Sequence, residues 1–315
     1  MKKKNIIPAI AVIIVMAAIT IKPSRYILSA QNGIILFALT VLPALFPFFF
    51  FSKLLSLFEA DVAMGNILRR PLIKMYNAPP SGGYIFIMSL MCGYPIGSKL
   101  ISEYYNDHII EKEDAHSLAA LASTSGPLFI LGTIGSVILN NHLAGIVIII
   151  SHYLSAIING LIYRNKNKSR SFISPPIVST TLKDSIYNAV ISILMVGGYI
   201  IVFNIICDVF IDFHIIDMVS KTLTPIFGNI IEGVLFGIIE VTRGSVVIGA
   251  SSAGIIAKTA AITAAVTFGG MSIIIQSATF LESTGLKISR FILMKLTQCT
   301  IAYVIALGLA FILFS

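Results

Sequence analysis

The chain has 315 residues, of which 57% are hydrophobic and 11% charged, and its mean hydropathy is +0.94. Soluble domains carry roughly 25% charged residues because their surface has to be covered with polar groups, so a water-soluble globular domain is excluded. The net charge of +8 does not signal nucleic acid, because the cations sit in short loops between apolar runs, without aromatic interleaving or a nucleic-acid fold signature.

What remains is a polytopic protein whose surface is covered by lipid, with runs near the roughly 20 residues that a spanning helix needs. The first apolar run, Ile6 to Ile21, follows three lysines. Ala17-Ala18 would suit a signal-peptide cleavage region, but the run reads better as an uncleaved helix within an N-terminal segment 1–30. A second run, Gly33 to Phe58, is interrupted by Pro43 and Pro47, and a more polar, basic stretch covers 59–82. Next comes Gly83 to Tyr105, with Gly93-Tyr94-Pro95-Ile96-Gly97-Ser98-Lys99 in its middle, and then an acidic loop. Run 116–139 breaks at Ser125-Gly126-Pro127, and run 143–163 is continuous. Residues 164–185 carry five cations and read as a basic cytoplasmic linker between two halves, 31–163 and 186–314.

The second half repeats the plan. Run 186–211 contains Gly197-Gly198, run 229–256 is interrupted at Glu240-Val241-Thr242-Arg243-Gly244-Ser245, and run 258–281 breaks at Phe268-Gly269-Gly270. Run 290–314 closes the chain. Gly97-Ser98 and Gly244-Ser245 lie 147 residues apart, and Gly126 and Gly269 lie 143 apart, so two interruptions recur in the same order at nearly one offset.

Charge decides how the interrupted runs are read. Set aside Lys53, Lys99, Arg243 and Lys295, which fall within apolar runs, and 18 of the 22 cations remain in loops and termini. If 83–105 and 229–256 both cross the membrane, nine lie on each side. If both enter and turn back, 14 lie inside and four (Lys22, Arg25, Lys221, Lys258) outside. Short cytoplasmic loops collect lysine and arginine, so the re-entrant reading wins. Each arm of about ten residues rises about 15 Å as helix, half of a hydrocarbon core of about 30 Å. One re-entrant hairpin and an odd number of crossings per half put the halves in opposite orientation. Such inverted repeats with discontinuous helices mark secondary transporters and locate their binding sites. The expected fold is therefore all-α and integral to the membrane, with two re-entrant hairpins (83–105, 229–256) and two broken helices (116–139, 258–281).

The candidate solute-binding residues follow from those interruptions: Gly97, Ser98 and Lys99; Thr124, Ser125 and Gly126; Glu240, Thr242, Arg243, Gly244 and Ser245; and Gly269, Gly270, Ser272 and Gln276. Helix starts beyond the breaks carry unpaired N–H groups and about half a positive charge, which favours anions. Lys99 and Arg243 would add full charges, unless Arg243 pairs with Glu240 three residues away and Lys99 snorkels toward the acidic loop after Glu103. The polar side chains serve equally well to join helices. Cys92, Cys207 and Cys299 lie far apart, without Cys-x-x-Cys spacing. His108, His116, His142 and His214 lie at loop edges, and His152 stands alone in a helix. No metal or cofactor is expected, and no nucleophile elbow, Walker loop or zincin pattern supports an enzyme. Glu240, Glu232 or Asp208 could take up a coupling proton.

Three segments carry a family resemblance: Gly93-Tyr94-Pro95-Ile96-Gly97-Ser98-Lys99-Leu100, Ser125-Gly126-Pro127-Leu128-Phe129-Ile130 and His152-Tyr153-Leu154-Ser155-Ala156. They resemble the YlbJ sporulation integral membrane proteins, within the group that carries the nucleoside-recognition, or Gate, domain. The likeness is clearest over 31–163; Phe268-Gly269-Gly270-Met271-Ser272 and Gln276 look like its second-half counterpart. The resemblance implies a spore-forming source and transport of dipicolinic acid across the outer forespore membrane, on an architecture similar to that of concentrative nucleoside transporters. The implied partners are a small anionic solute and the bilayer. A homo-oligomer is admitted but not specified. Alternatives are a carrier of nucleosides or other small solutes, and a non-transporting scaffold in spore maturation.

Overall fold

The computed structural model describes residues 6–58, 60–166 and 181–315, and every regular element in them is helical. Lys2 to Lys4 and most of the basic linker lie outside the described residues.

Helix α1 (Ile6–Ile21) is followed at once by α2 (Pro23–Leu36) across a bend of 108°. Pro23 opens α2 because a missing N–H costs nothing in a first turn. The second run therefore becomes helical ten residues before Gly33, and continues through a π-helical turn, Phe37–Val41, into α3 (Leu42–Leu57). The basic stretch after it is helical rather than a loop: α4 (Ala60–Ile67), the single turn α5 (Arg69–Pro71) and a π-helical turn, Leu72–Tyr76.

Next, α6 (Ser81–Cys92) and α7 (Ile96–Asn106) form a helical pair around Gly93-Tyr94-Pro95. Gly93 has φ +79°, and a Cβ there would overlap the backbone nitrogen of Gly126, so the turn needs glycine twice over. Helix α8 (Lys112–Leu121) starts from a reciprocal cap, Glu111 with Asp114. The backbone is non-helical up to Pro127, and a π-helical segment, Leu128–Ile138, continues the run. Helix α9 (His142–Ile162) is capped by Asn141, whose side chain accepts the Ala144 N–H.

In the second half, Thr181 and Asp184 cap α10 (Leu182–Asp212) reciprocally, which starts this helix inside the stretch read as linker. Helix α11 (Ile215–Phe227) fills the stretch between the runs 186–211 and 229–256. A 3₁₀ turn, Gly228–Ile230, leads to α12 (Ile231–Ile239), α13 (Val241–Ala250), α14 (Ile255–Phe268), α15 (Gly270–Leu281) and α16 (Ile288–Phe314). Both hairpin tips stand a few residues earlier than the glycine pairs suggested. Gly97-Ser98 lies inside α7 and Gly244-Ser245 inside α13. Capping explains the shift, because Pro95 and Glu240 are the residues that start those helices.

Five helical segments among the described residues are long and apolar enough to span a membrane: 142–162, 182–212, 215–239, 255–284 and 288–314. The bent α1–α2 pair adds a sixth if it counts as one span. The chain is a multi-pass membrane protein. Its largest core cluster joins α6, α7 and α8 through Tyr84, Ile85, Ile101 and Leu118. Ala306 and Ala310 of α16 pack on Val147 of α9, small residues that let membrane helices approach closely.

Candidate functional site

The interruptions converge. The first tip meets the first break where Gly93 abuts Gly126, and the second tip meets the second break where Gly270 lies against the carbonyls of Gly237 and Ile239. Between them is a cavity of about 430 Å³. Its walls come from the first tip (Met91 to Tyr94), the first break and the helix after it (Ser125, Gly126, Leu128, Phe129, Gly132, Thr133) and the second tip (Glu240 to Thr242). Val266, Ser272, Ile273 and Gln276 flank the second break, and residues of α3, α10 and the Phe37–Val41 turn, Phe48 and Ile200 among them, close the space.

Six of the sequence candidates line this cavity: Ser125, Gly126, Glu240, Thr242, Ser272 and Gln276. The others stand behind it or turn away. The Thr124 hydroxyl donates to the Ser89 carbonyl at 2.8 Å and lies 2.6 Å from the Ser89 hydroxyl, tying the first break to α6. Gly97 packs on the Ala122 carbonyl, Ser98 is buried within α7, and Gly244 packs on Gly237 across the α12–α13 hairpin. The Ser245 hydroxyl donates to Val241 in its own helix. Gly269, in the left-handed conformation, ends α14.

Neither sequence-designated cation reaches the cavity wall. The Lys99 ammonium lies 3.5 Å from the Asn188 carbonyl, 3.9 Å from Glu103 and 5.2 Å from the centre of the Phe49 ring. Arg243 pairs with Asp208 at 2.8 Å and lies over Phe236, not on the Glu240 carboxylate. Glu240 instead accepts the Arg243 backbone N–H at 2.7 Å, the cap that starts α13. The cavity lining thus holds one carboxyl, no cation and several neutral hydrogen-bonding groups.

Beside the first tip lies a buried network to which the sequence reading assigned no role. His152 Nε2 accepts the Ser125 N–H at 2.8 Å, and Nδ1 is 2.8 Å from the Thr267 hydroxyl. Only the neutral ring with its proton on Nδ1 serves both contacts. The Lys295 ammonium donates to the Tyr94 hydroxyl at 2.6 Å, to the Ser123 carbonyl at 2.9 Å and to Gln298 Oε1 at 2.9 Å. Tyr94 in turn donates to the Thr267 carbonyl at 3.2 Å. One network therefore joins the first tip, the first break, α9, the end of α14 and α16. The available signal was Lys295 itself, a cation amid an apolar run, because charges within membrane helices are rare and functional by default.

Compared with known proteins, the chain is similar to the sporulation integral membrane protein YlbJ of Bacillus subtilis (strain 168). The two are 25% identical over 313 residues, covering 90% of this chain and 77% of that protein. No protein-family model matches the chain, and no solved structure matches it.

Proposed function

Because the chain belongs to the YlbJ family of sporulation integral membrane proteins, we propose that it is a secondary transporter carrying a small solute through the cavity between its two hairpin tips, with dipicolinate as the solute. The observation that carries this reading is the composition of the cavity wall. Both tips, the first break and residues flanking the second contribute to it, and irregular backbone at membrane depth is tolerated where it is buried in protein or lines a cavity.

In this reading, α6–α7 and α12–α13 are re-entrant hairpins of two inverted repeats, 31–163 and 186–314. Their arms of 12, 11, 9 and 10 residues each reach about half of a core of about 30 Å, and the cation distribution favours the same topology. The helix starts at Leu128 and Gly270 present first-turn N–H groups beside Phe129 and Ser272, both in the cavity wall. These ends suit the carboxylates of an anionic ring. We take the outer forespore membrane as the site of this work, a reading that the likeness to a sporulation integral membrane protein supports.

The test is uptake of radiolabelled dipicolinate into proteoliposomes, with and without a proton or sodium gradient. Gradient-stimulated uptake is the expected result. The absence of a cation from the lining favours one second reading, a neutral ring solute such as a nucleoside. Uptake of uridine, uncompeted by dipicolinate, would select it. Folded protein that moves neither solute is a scaffold and not a carrier.

A further inference from the structure

Lys295 lies within the 27-residue helix α16 and is 1% exposed. Its three hydrogen-bond partners are all acceptors. Two are carbonyl oxygens, Ser123 and Gln298, and the third is a phenol whose own proton points to the Thr267 carbonyl. A neutral amine offers two N–H bonds and an ammonium three, so this cage fits the charged form. Among the described residues Lys295 makes no ion pair, unlike Lys99 with Glu103 and Arg243 with Asp208. Neutral dipoles therefore hold the ammonium, and no carboxylate among the described residues is paired with it.

The cavity begins one hydrogen bond away, at Tyr94. On the opposing tip, Glu240 is the one carboxyl in the lining, and its charge is already engaged with the N–H groups that open α13. The two walls thus differ in sign, positive behind Tyr94 and negative at Glu240.

We infer that Lys295 is the charge-selecting residue of this cavity: its ammonium favours anionic cargo and turns the carboxylate end of that cargo toward Tyr94. The inference rests on the solute-carrying reading of the cavity and names the residue that sets its charge preference. A carboxylate in the cavity completes the ion pair that the described residues leave open. At a separation of about 8 Å and an effective dielectric of about 20, such a pair changes affinity roughly ten- to thirtyfold.

The experiment measures binding to purified protein in detergent, by calorimetry, with two probes of nearly one shape: pyridine-2,6-dicarboxylate and its neutral diamide. Wild-type protein is expected to bind the dicarboxylate at least about tenfold more tightly than the diamide. Lys295→Met, and Lys295→Gln as a second neutral variant, are expected to erase that preference while leaving diamide binding in place. Wild-type protein that binds both probes equally overturns the inference without any variant, and so does a neutral variant that keeps the preference. Wild-type protein that binds neither probe removes the dipicolinate-carrying reading, and the inference with it.

Discussion

The two tip-and-break pairs solve one problem in different ways. In the first half the break is wide, from the end of α8 at Leu121 to Pro127, and polar side chains satisfy its backbone. His152 accepts the Ser125 N–H, Lys295 donates to the Ser123 carbonyl and Asn159 donates to the Ala120 carbonyl at 2.9 Å. Tyr153 donates to the Leu90 carbonyl at 2.6 Å, beside the first tip. In the second half the tip and the break shrink to Glu240 and Gly269, and the chain closes by backbone approach, Gly244 on Gly237 and Gly270 on the Ile239 carbonyl. Backbone polar groups at membrane depth must be satisfied within the protein. A wide gap does this with side chains; a narrow gap does it by removing them.

Bulk should therefore be most damaging in the second half. A Cβ at Gly244 would overlap the backbone of Gly237, and neither helix of the α12–α13 hairpin has a flexible side chain there to yield. Gly244→Val should cost about 3 kcal/mol or more, toward the upper end of overpacking penalties. Thermal unfolding of detergent-purified protein should show it as a large drop in Tm. Ser245→Ala, one residue on, removes only a bond within its own helix and should change Tm little. Equal Tm values for Gly244→Val and wild type would break the comparison.

Loss of a hydrogen-bond partner should matter most in the first half, with a smaller effect. His152→Leu keeps the buried volume but strands the Ser125 N–H and the Thr267 hydroxyl, at a cost of about 1–3 kcal/mol. His152→Gln supplies an amide oxygen and should recover part of the loss in the same unfolding measurement. Recovery sharpens the distinction, because a site limited by packing alone would not respond to a restored acceptor.

The fold was legible where the physics is local. Apolar run length found α1, α9 and α16, and glycine, joined by proline in the first, found both breaks, because backbone that cannot continue a helix announces itself in residue type. Within the interruptions around 93–99 and 240–245 the turns fall at the first residues, because Gly97 and Gly244 are glycines for packing against Ala122 and Gly237, not for turning. Sequence alone does not separate those two uses. Helix α11 went unread because the amphipathic stretch 215–227 carries Asp217 and Lys221 among its apolar residues. The site was half legible: six candidates line the cavity, each beside a tip or a break. Its charges were not, because a long side chain chooses its partner in three dimensions. Lys99 and Arg243 stand close in sequence to the tips and point away, whereas Lys295, some 200 residues from Tyr94, reaches it.

That last contrast gives the smallest predicted effect. Lys99→Met removes an ammonium whose contacts include a carbonyl at 3.5 Å and a carboxylate at 3.9 Å. The methionine side chain can keep the apolar contact with Phe49, so the fold should survive the change. Lys99 is absent from the cavity wall, so the ratio of dicarboxylate to diamide affinity should match that of wild type. A variant in which that ratio collapses while Lys295→Met preserves it would move the positive wall from α16 to α7. The first tip would then act through its own helix, and the network around Lys295 would serve packing alone.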